Sequence, residues 1–276
     1  MNASDLIRED YLSFEQQTTL SKVLGQWREG THTEALILDK GKYLGLVDKR
    51  KLIRSKLDPT HVKIGKFVKR TASLAKDTDV ERIVALLSTS DTHLLPVLED
   101  KKVVGVVYAL DVLQQLKNKL TEVTAQEAGS MDLHQFQEHD ELAVALKTFR
   151  EKRVDRVPVM DTAGKLIGIV SVVDVLTKYM PWPISRPGSD VRRSTAGIVY
   201  RRRGRDTGEK TKMPDLPLRN VMTPLVATAA PDTLLPKLIT TMHDQGISAI
   251  VLVEDGKAVG IVTTKDILEQ VIRMQG

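Results

Sequence analysis

Gly260-Ile-Val-Thr-Thr-Lys-Asp266 has a close copy earlier in the chain, Gly168-Ile-Val-Ser-Val-Val-Asp174. A glycine and two β-branched residues, followed by a hydroxyl residue, two spacers and an aspartate, predict a buried strand that turns into a helix. The hydroxyl falls at the N-cap and the carboxylate in the first turn, where backbone N–H groups favour negative charge. Such a helix start is either a plain cap or a phosphate site, and a single copy favours the cap.

Two weaker copies, Gly105-Val-Val-Tyr-Ala-Leu-Asp111 and Gly45-Leu-Val-Asp-Lys-Arg-Lys51, bring the number of copies to four. Their glycines are 60, 63 and 92 residues apart. Repeats of that size are too long for solenoid turns and predict a small α/β unit repeated four times. We number the units one to four, at about residues 4–58, 62–119, 121–180 and 214–276.

Each unit is predicted to contain an amphipathic helix followed by a β-hairpin. In unit one, apolar residues at helical spacing cover 20–27, and strands at 35–38 and 43–47 flank a turn. In unit three, Asp140 is predicted to cap a helix over 141–153. In unit four, a helix is predicted to start at Pro231-Asp232 and to end at Gly246.

The units resemble cystathionine-β-synthase (CBS) domains in three features. These are the repeated motif, the hydrophobic-Pro-Val strand before it, and Val221-Met222-Thr223-Pro224 at the start of unit four. The resemblance implies an α/β fold of four tandem β-α-β-β-α repeats, paired into two Bateman modules at 1–120 and 121–276. A basic insert, 181–213, lies before the last repeat. The resemblance further implies that the clefts between paired repeats bind an adenosine compound such as AMP, ADP, ATP or S-adenosylmethionine.

That resemblance also implies roles for particular side chains. A carboxylate accepts both hydrogens of a ribose diol, while hydroxyls and helix amides donate to phosphate. Asp174, Asp266 and Asp111 are expected to hold ribose, and Ser171 and Thr263 to hold phosphate. Arg156 lies where a phosphate tail could reach it, although exposed arginines at such corners are more often solvated.

Units one and two depart from this pattern. In unit one, Asp48 replaces the hydroxyl and Lys51 replaces the aspartate, so its site is expected to be empty or to bind something else. In unit two, Tyr108 takes the hydroxyl position. This tyrosine could stack on or donate to a ligand, or it could plug the pocket.

Composition narrows the function classes. The chain has 276 residues, 41% hydrophobic and 4% aromatic, and no cysteine, which excludes disulfides and thiol catalysis. No signal region and no membrane-length apolar run are present, so a cytoplasmic protein without a membrane partner is expected. Known phosphate-loop, zinc-protease and serine-hydrolase motifs are absent, and the six histidines are scattered. We therefore expect neither an enzyme nor a metal site.

The basic insert carries the surplus positive charge. It holds nine Lys or Arg against three acids, a balance of +6, which leaves −1 for the rest of a chain with net charge +5. The insert is either a solvated linker or an RNA-binding arm, and its arginine bias and interleaved aromatics favour phosphate contact and base stacking. The candidate RNA-binding residues are Arg186, Arg192, Arg193, Arg201, Arg202, Arg203, Arg205, Trp182 and Tyr200.

The sequence thus predicts a non-enzymatic regulator that senses an adenosine ligand and contacts RNA, with the ribosome as one candidate partner and translation as the regulated process. The alternative is a nucleotide-sensing regulatory subunit of a protein enzyme or transporter with no RNA role. Two chains could also associate, since CBS modules often form disc-shaped dimers.

Overall fold

The computed structural model describes residues 1–29, 32–52, 62–152, 154–175, 216–224 and 226–274. The basic insert and its candidate RNA-binding residues lie outside the described residues. The strands are β1 (Ser13–Glu15), β2 (Glu34–Asp39), β3 (Lys42–Asp48), β4 (Leu94–Glu99), β5 (Lys102–Tyr108), β6 (Phe136–Gln137), β7 (Arg156–Met160), β8 (Leu166–Ser171), β9 (Thr228–Ala229), β10 (Ala249–Glu254) and β11 (Lys257–Thr263). The helices are α1 (Leu20–Glu29), α2 (Lys49–Leu52), α3 (Val80–Ser90), α4 (Ala109–Leu116), α5 (Ala125–Ala128), α6 (Leu142–Glu151), α7 (Val172–Asp174), α8 (Leu235–Gln245) and α9 (Thr264–Arg273).

The mixed α/β fold predicted from the sequence is confirmed. Units one, three and four each have the order strand, helix, antiparallel hairpin, helix, with the first strand parallel to the second. In unit two the first strand is reduced to a single parallel bridge between Leu74 and Val97. The predicted hairpins and amphipathic helices are present in all four units, because each apolar stripe is buried against its own sheet.

Two helix starts differ from the prediction. Helix α6 has Glu141 at its N-cap and no side-chain cap. The predicted cap, Asp140, instead accepts a hydrogen bond from the backbone N–H of Gln137 at 2.8 Å. Helix α8 begins at Leu235 rather than at Pro231, and it ends at Gly246 in the left-handed conformation as predicted.

Neighbouring units exchange the segments that precede their first strands. Residues 1–8 pack on unit two, where Leu6 is buried, and residues 62–69 pack on unit one, where Ile64 is buried. Residues 124–130 and 216–223 make the same exchange between units four and three. Backbone bridges between the exchanged segments and their partner units are Arg8–Val106, Leu46–Lys69, Ser130–Ile261 and Ile169–Thr223.

The segment exchange explains why the first residue of each repeated motif is glycine. The exchanged segment crosses the hairpin at that glycine, so a Cβ there would meet a backbone oxygen of the crossing segment. Those oxygens belong to Lys69 at Gly45, Arg8 at Gly105, Thr223 at Gly168 and Ser130 at Gly260. The glycines are therefore close-approach positions, which is one of the structural uses of this residue.

The units also pack across the molecule. The sheets of units one and two share an apolar cluster that includes Leu36 and Val106, and those of units three and four share one that includes Met160 and Val251. Helices α3 and α4 of unit two pack on α8 and α9 of unit four in one continuous core. Helix α2 of unit one lies against α7 of unit three. All four units therefore approach one another.

Candidate functional site

A cavity of about 580 Å³ is lined by residues from all four units. This volume is within the range of small-molecule sites in proteins. The charged side chains of its wall are three carboxylates, Asp48, Asp91 and Asp155, and three cations, Arg50, Arg156 and Lys265. The hydroxyl side chains include Thr92, Ser248 and Thr263.

Topology places these side chains together. Thr92, Asp155 and Ser248 each stand just before the hairpin strand of their unit, namely β4, β7 and β10. Thr263 ends β11 and is the N-cap of α9, so the first turn of that helix faces the cavity as well. Because the units have one plan, the same strand edge from several units meets at the cavity.

The motif of unit four is a reciprocal capping box. The backbone N–H and the hydroxyl of Thr263 both donate to Oδ2 of Asp266, at 2.8 and 2.7 Å. The backbone N–H of Asp266 donates to the threonine hydroxyl at 3.3 Å. Among the described residues nothing bonds to Oδ1 of Asp266, and Thr263 but not Asp266 lines the cavity. One oxygen of this carboxylate thus remains available as an acceptor.

The motif of unit three is also a capping box, but it is more fully occupied. Ser171 donates its hydroxyl to Oδ2 of Asp174 at 2.5 Å, and the N–H of Asp174 returns a bond to that hydroxyl at 3.1 Å. The second oxygen, Oδ1, accepts the hydroxyl of Thr223 at 3.1 Å. Thr223 belongs to the segment exchanged from unit four, so both carboxylate oxygens of Asp174 are occupied, Oδ2 by its own unit and Oδ1 by the exchanged segment.

In unit two the N-terminal segment covers the motif. The Arg8 guanidinium lies 5.1 Å from the centre of the Tyr108 ring, and Nη1 is 3.5 Å from Oδ2 of Asp111. The Tyr108 hydroxyl donates to the backbone oxygen of Asp10 at 2.6 Å. The other oxygen of Asp111 lies 3.2 Å from Nε2 of His243 in unit four. Of the two roles predicted for Tyr108, this geometry matches the plug.

In unit one the motif is converted into an ion-pair cluster. Arg50 donates to both oxygens of Asp48, with Nη2 to Oδ2 at 2.6 Å, and its Nη1 donates to Asp155 of unit three at 3.0 Å. Glu34 lies 3.7 Å from Nη2 of Arg50, and its carboxylate accepts the backbone N–H of His93 in unit two at 3.0 and 3.1 Å. These bonds tie units one, two and three together at the cavity.

Burial shifts the pKa values of two residues in and beside this cluster, Glu34 and His93. The Glu34 side chain is 1% exposed, and burial, together with the neighbouring Asp48, raises its pKa to about 8. Burial lowers the pKa of His93 to about 3, and the nearby Arg50 and Arg156 act in the same direction. The His93 imidazole is therefore neutral at physiological pH and adds no positive charge to the cavity wall.

Arg156 and Thr92 are polar groups of the wall with unused bonding capacity. Arg156 donates through Nη2 to the Ser248 hydroxyl at 3.0 Å, and in the described part of the chain it makes no ion pair. Burial lowers the pKa of its guanidinium. Thr92 is 8% exposed, and within the described ranges its buried hydroxyl has no hydrogen-bond partner.

The sequence-predicted residues thus fall into two groups. Thr263 and Arg156 line the cavity, whereas Ser171, Asp174, Asp266 and Asp111 lie at the starts of their helices outside the wall. Sequence reasoning missed Thr92, Arg50 and Ser248. The signal that could have found Thr92 and Ser248 is their shared position before the hairpin strand, which becomes visible when the units are aligned on their hairpins.

The fold and the cavity place this chain in a class of proteins that are built from tandem α/β units, with exchanged segments and a shared cavity. The chain belongs to the CBS domain family: the CBS domain matches residues 65–118, 130–180 and 218–273, more than half of the chain. Units two, three and four contain these matches, and residues 1–64 lie outside them. The family resemblance inferred from the repeated phrase is confirmed.

The chain is also similar to curated relatives and to a solved structure. A 33.4 kDa protein of the ribosomal RNA operon of Thermofilum pendens is 27% identical over 200 residues, 72% of this chain. Protein MJ1404 of Methanocaldococcus jannaschii is 23% identical over 275 residues, 97% of this chain. The chain spans 61% of the length of each of these relatives. The crystal structure of protein MJ1225 of M. jannaschii, proposed as an archaeal homologue of g-AMPK, has a TM-score of 0.76 at 16% identity, covering 98% of this chain and 100% of that chain.

The described helices and acidic side chains also bear on membrane and metal binding. Across the described ranges, every helix is too short or too polar to cross a bilayer. The same ranges contain no cluster of three or more His, Cys, Asp or Glu side chains positioned to hold a metal ion.

Proposed function

We propose that this chain is a non-catalytic regulatory protein that binds an adenine nucleotide, AMP, ADP or ATP, or S-adenosylmethionine, beside the shared cavity. The observation that carries the proposal is the cavity itself, which has ligand dimensions and adjoins the hydroxyl-capped helix start of unit four. Membership of the CBS domain family supports a regulatory role. The proposed relationship of MJ1225 to g-AMPK agrees with it, although that likeness establishes only the fold.

Of the four units, unit four has the side chains that are best placed to bind ribose and phosphate. Oδ1 of Asp266 can accept a ribose hydroxyl while Oδ2 keeps the helix cap, and the Thr263 hydroxyl can donate to phosphate once it turns away from Oδ2 of Asp266. Asp174 and Ser171 would take the same roles in unit three after release of the Thr223 hydroxyl. Asp111 would require displacement of Arg8 and His243, so we rank it last.

The segment exchange supports two modules, 1–120 and 121–276. Units one and two exchange their leading segments with each other, and so do units three and four. Each pair also shares a sheet-to-sheet apolar cluster. A fragment cut between the pairs keeps every exchange intact, whereas a cut within a pair removes a buried segment from its partner's core.

Calorimetric titration of adenosine, AMP, ATP and S-adenosylmethionine tests the proposal. Wild type should release heat with at least one of them, and Asp266→Ala should weaken that binding more than Asp174→Ala. Asp266→Asn keeps an acceptor for the helix cap and separates ligand loss from cap loss. The matched control is the exposed Asp232→Ala, which should bind like wild type. Absence of binding for all four compounds, with ligand-free protein verified by its 260/280 nm absorbance ratio, would refute the proposal.

RNA contact through the basic insert is a second candidate function. Its support is the concentration of surplus positive charge in 181–213 and the ribosomal RNA operon in which the Thermofilum pendens relative lies. If six cations of the insert met phosphates, log affinity should fall with log salt at a slope of about −4. Cosedimentation with ribosomes at two salt concentrations, with and without residues 183–212, tests this function. If the protein lacking residues 183–212 stays bound to ribosomes as well as the full chain does, the RNA function is contradicted. Recovery of a stoichiometric partner protein without RNA would instead favour a regulatory subunit of an enzyme or transporter.

A further inference from the structure

A second cavity, of about 390 Å³, lies between the hairpin turns of units one and two, and we call it the turn pocket. Its volume falls within the range of small-molecule sites. Lys42 and Lys102, the first residues of β3 and β5, line it. The shared cavity adjoins the other end of β3, where Asp48 lies, and its wall has no residue in common with the turn pocket. The two cavities are therefore separate.

The rim of the turn pocket carries an excess of positive charge. Lys40, Lys42 and Lys102 line it together with one carboxylate, Asp100, so the balance is 3 − 1 = +2. All three lysines are exposed, and in the described part of the chain none of them makes an ion pair. Their ammonium groups are thus available to an anion.

Two neighbouring carboxylates are already engaged elsewhere. Glu99, next to Asp100 in the chain, pairs with Lys76 at 3.0 Å. Both oxygens of Glu15 accept backbone N–H groups of the unit-one turn, from Lys40 at 3.0 Å and from the following glycine at 3.1 Å. These acids therefore form their listed contacts with groups other than the lysine ammoniums of the rim.

The floor of the turn pocket is apolar. Tyr11, Leu38 and Val103 line it. Tyr11 and Val103 also pack against the apolar cluster that the sheets of units one and two share. An apolar floor below a cationic rim suits an organic anion, because the body of the ligand covers apolar surface while its charged head meets the ammonium groups.

The second pair of units closes the corresponding place. In every unit a lysine stands three residues before the motif glycine, namely Lys42, Lys102, Lys165 and Lys257. Between units three and four, the backbone N–H of Leu166 donates to the carbonyl oxygen of Gly256 at 3.0 Å, so the two turns touch. Among the described residues, no backbone hydrogen bond joins the turns of units one and two. The pocket between those turns therefore distinguishes the first pair from the second.

We infer that the turn pocket binds a small organic anion, whose carboxylate or phosphate head is held by Lys40, Lys42 and Lys102 above the apolar floor. This site goes beyond the proposed adenine-nucleotide function and does not depend on it. Lys42 belongs to unit one and Lys102 to unit two. One bound anion would therefore bridge the two turns, as the backbone bond from Leu166 does in the second pair.

Fluorine NMR titrations of para-fluorobenzoate, para-fluorophenyl phosphate and the neutral para-fluorobenzamide into the full chain test the inference. At least one of the two anions should bind wild type about 10-fold more tightly than the amide, and high salt should weaken that binding. The double variant Lys42→Gln/Lys102→Gln should bind the anion about 10-fold more weakly, since it loses two exposed charge contacts. Lys42→Arg/Lys102→Arg keeps both cations and should stay close to wild type.

The second pair of units supplies the matched control. Lys165→Gln/Lys257→Gln removes the two equivalent exposed lysines and the same total charge, and it should bind the anion like wild type. Failure of both anions to bind wild type, equal losses in the two glutamine variants, or equal binding of the amide would overturn the inference. Displacement of the anion by AMP would also overturn it, because the anion would then occupy the nucleotide site. None of these results bears on nucleotide binding itself, which the calorimetric titrations test separately.

Discussion

Substituting Gly45 by alanine tests the segment exchange on which the arrangement of units depends. The added Cβ would overlap the backbone oxygen of Lys69 and lie 2.7 Å from Cγ1 of Val68. That oxygen accepts the backbone N–H of Leu46 at 2.9 Å, so it cannot withdraw without breaking the bridge between the exchanged segment and unit one. The clash is therefore with fixed backbone rather than with a flexible side chain.

The magnitude follows from these two effects. Overpacking a fitted site costs about 1–3 kcal/mol, and loss of one backbone hydrogen bond costs about 1 kcal/mol more. We expect the free energy of unfolding to fall by about 2–4 kcal/mol, and the melting temperature by about 5–10 °C. Gly260→Ala should cost less, because its nearest contact, 2.6 Å away, is Sδ of Met131, a side chain that is 46% exposed.

Urea denaturation followed by circular dichroism provides the measurement, with Gly25→Ala as the matched control. Gly25 lies in α1 with nothing within 4 Å of its added Cβ, so the same substitution should stabilise the helix by up to about 1 kcal/mol. The expected order of stability is Gly25→Ala, wild type, Gly260→Ala and Gly45→Ala. A Gly45→Ala protein within about 0.5 kcal/mol of wild type, a difference typical of surface substitutions, would refute the close crossing.

Two further perturbations follow from the buried cluster and the N-terminal segment. Between pH 4.5 and about 8 the unfolded state has lost the Glu34 proton while the folded state retains it, so stability should fall as pH rises. Glu34→Gln should remove that part of the slope in urea titrations at pH 5 to 9, and an unchanged slope would contradict the raised pKa. Arg8→Ala should cost about 0.5–1 kcal/mol, since Arg8 is 48% exposed, and the cost should shrink in 1 M salt. The exposed Arg82→Ala is its control, and a cost independent of salt would argue against the contacts of Arg8 with Asp111 and Tyr108.

Local features of the fold could be predicted from the sequence because they depend on neighbouring residues. Turn residues, strand alternation and the hydroxyl-to-aspartate spacing placed the hairpins and the capping boxes of Ser171 and Thr263 correctly. The same local logic failed at Asp140, because its carboxylate had a competing backbone partner at Gln137. Sequence periodicity does not show which of two partners a polar side chain takes.

Long-range features could not be predicted in this way. The exchange of leading segments sets which hairpin each segment crosses, and nothing in a single unit specifies that choice. The glycine at the first position of each motif is a consequence of the segment exchange. From the sequence alone, however, the same glycine is equally compatible with a turn. Thr92, Asp155 and Ser248 line one cavity only because the strand edges of three units meet there, and that meeting is visible only in three dimensions.

The divergence of the four units bears on how many ligands the chain can hold. A fourfold repeat with identical motifs would offer four equivalent sites, but units one and two satisfy their own motif groups, through Arg50 and Arg8 respectively. Unit three satisfies Asp174 through the exchanged Thr223, which leaves Asp266 with an open oxygen beside the cavity wall that holds Arg156. The four units thus differ in how many of their motif groups are already bonded within the chain. If the proposed ligand binds beside this cavity, it will lie near residues of all four units, because each unit contributes to the same cavity wall.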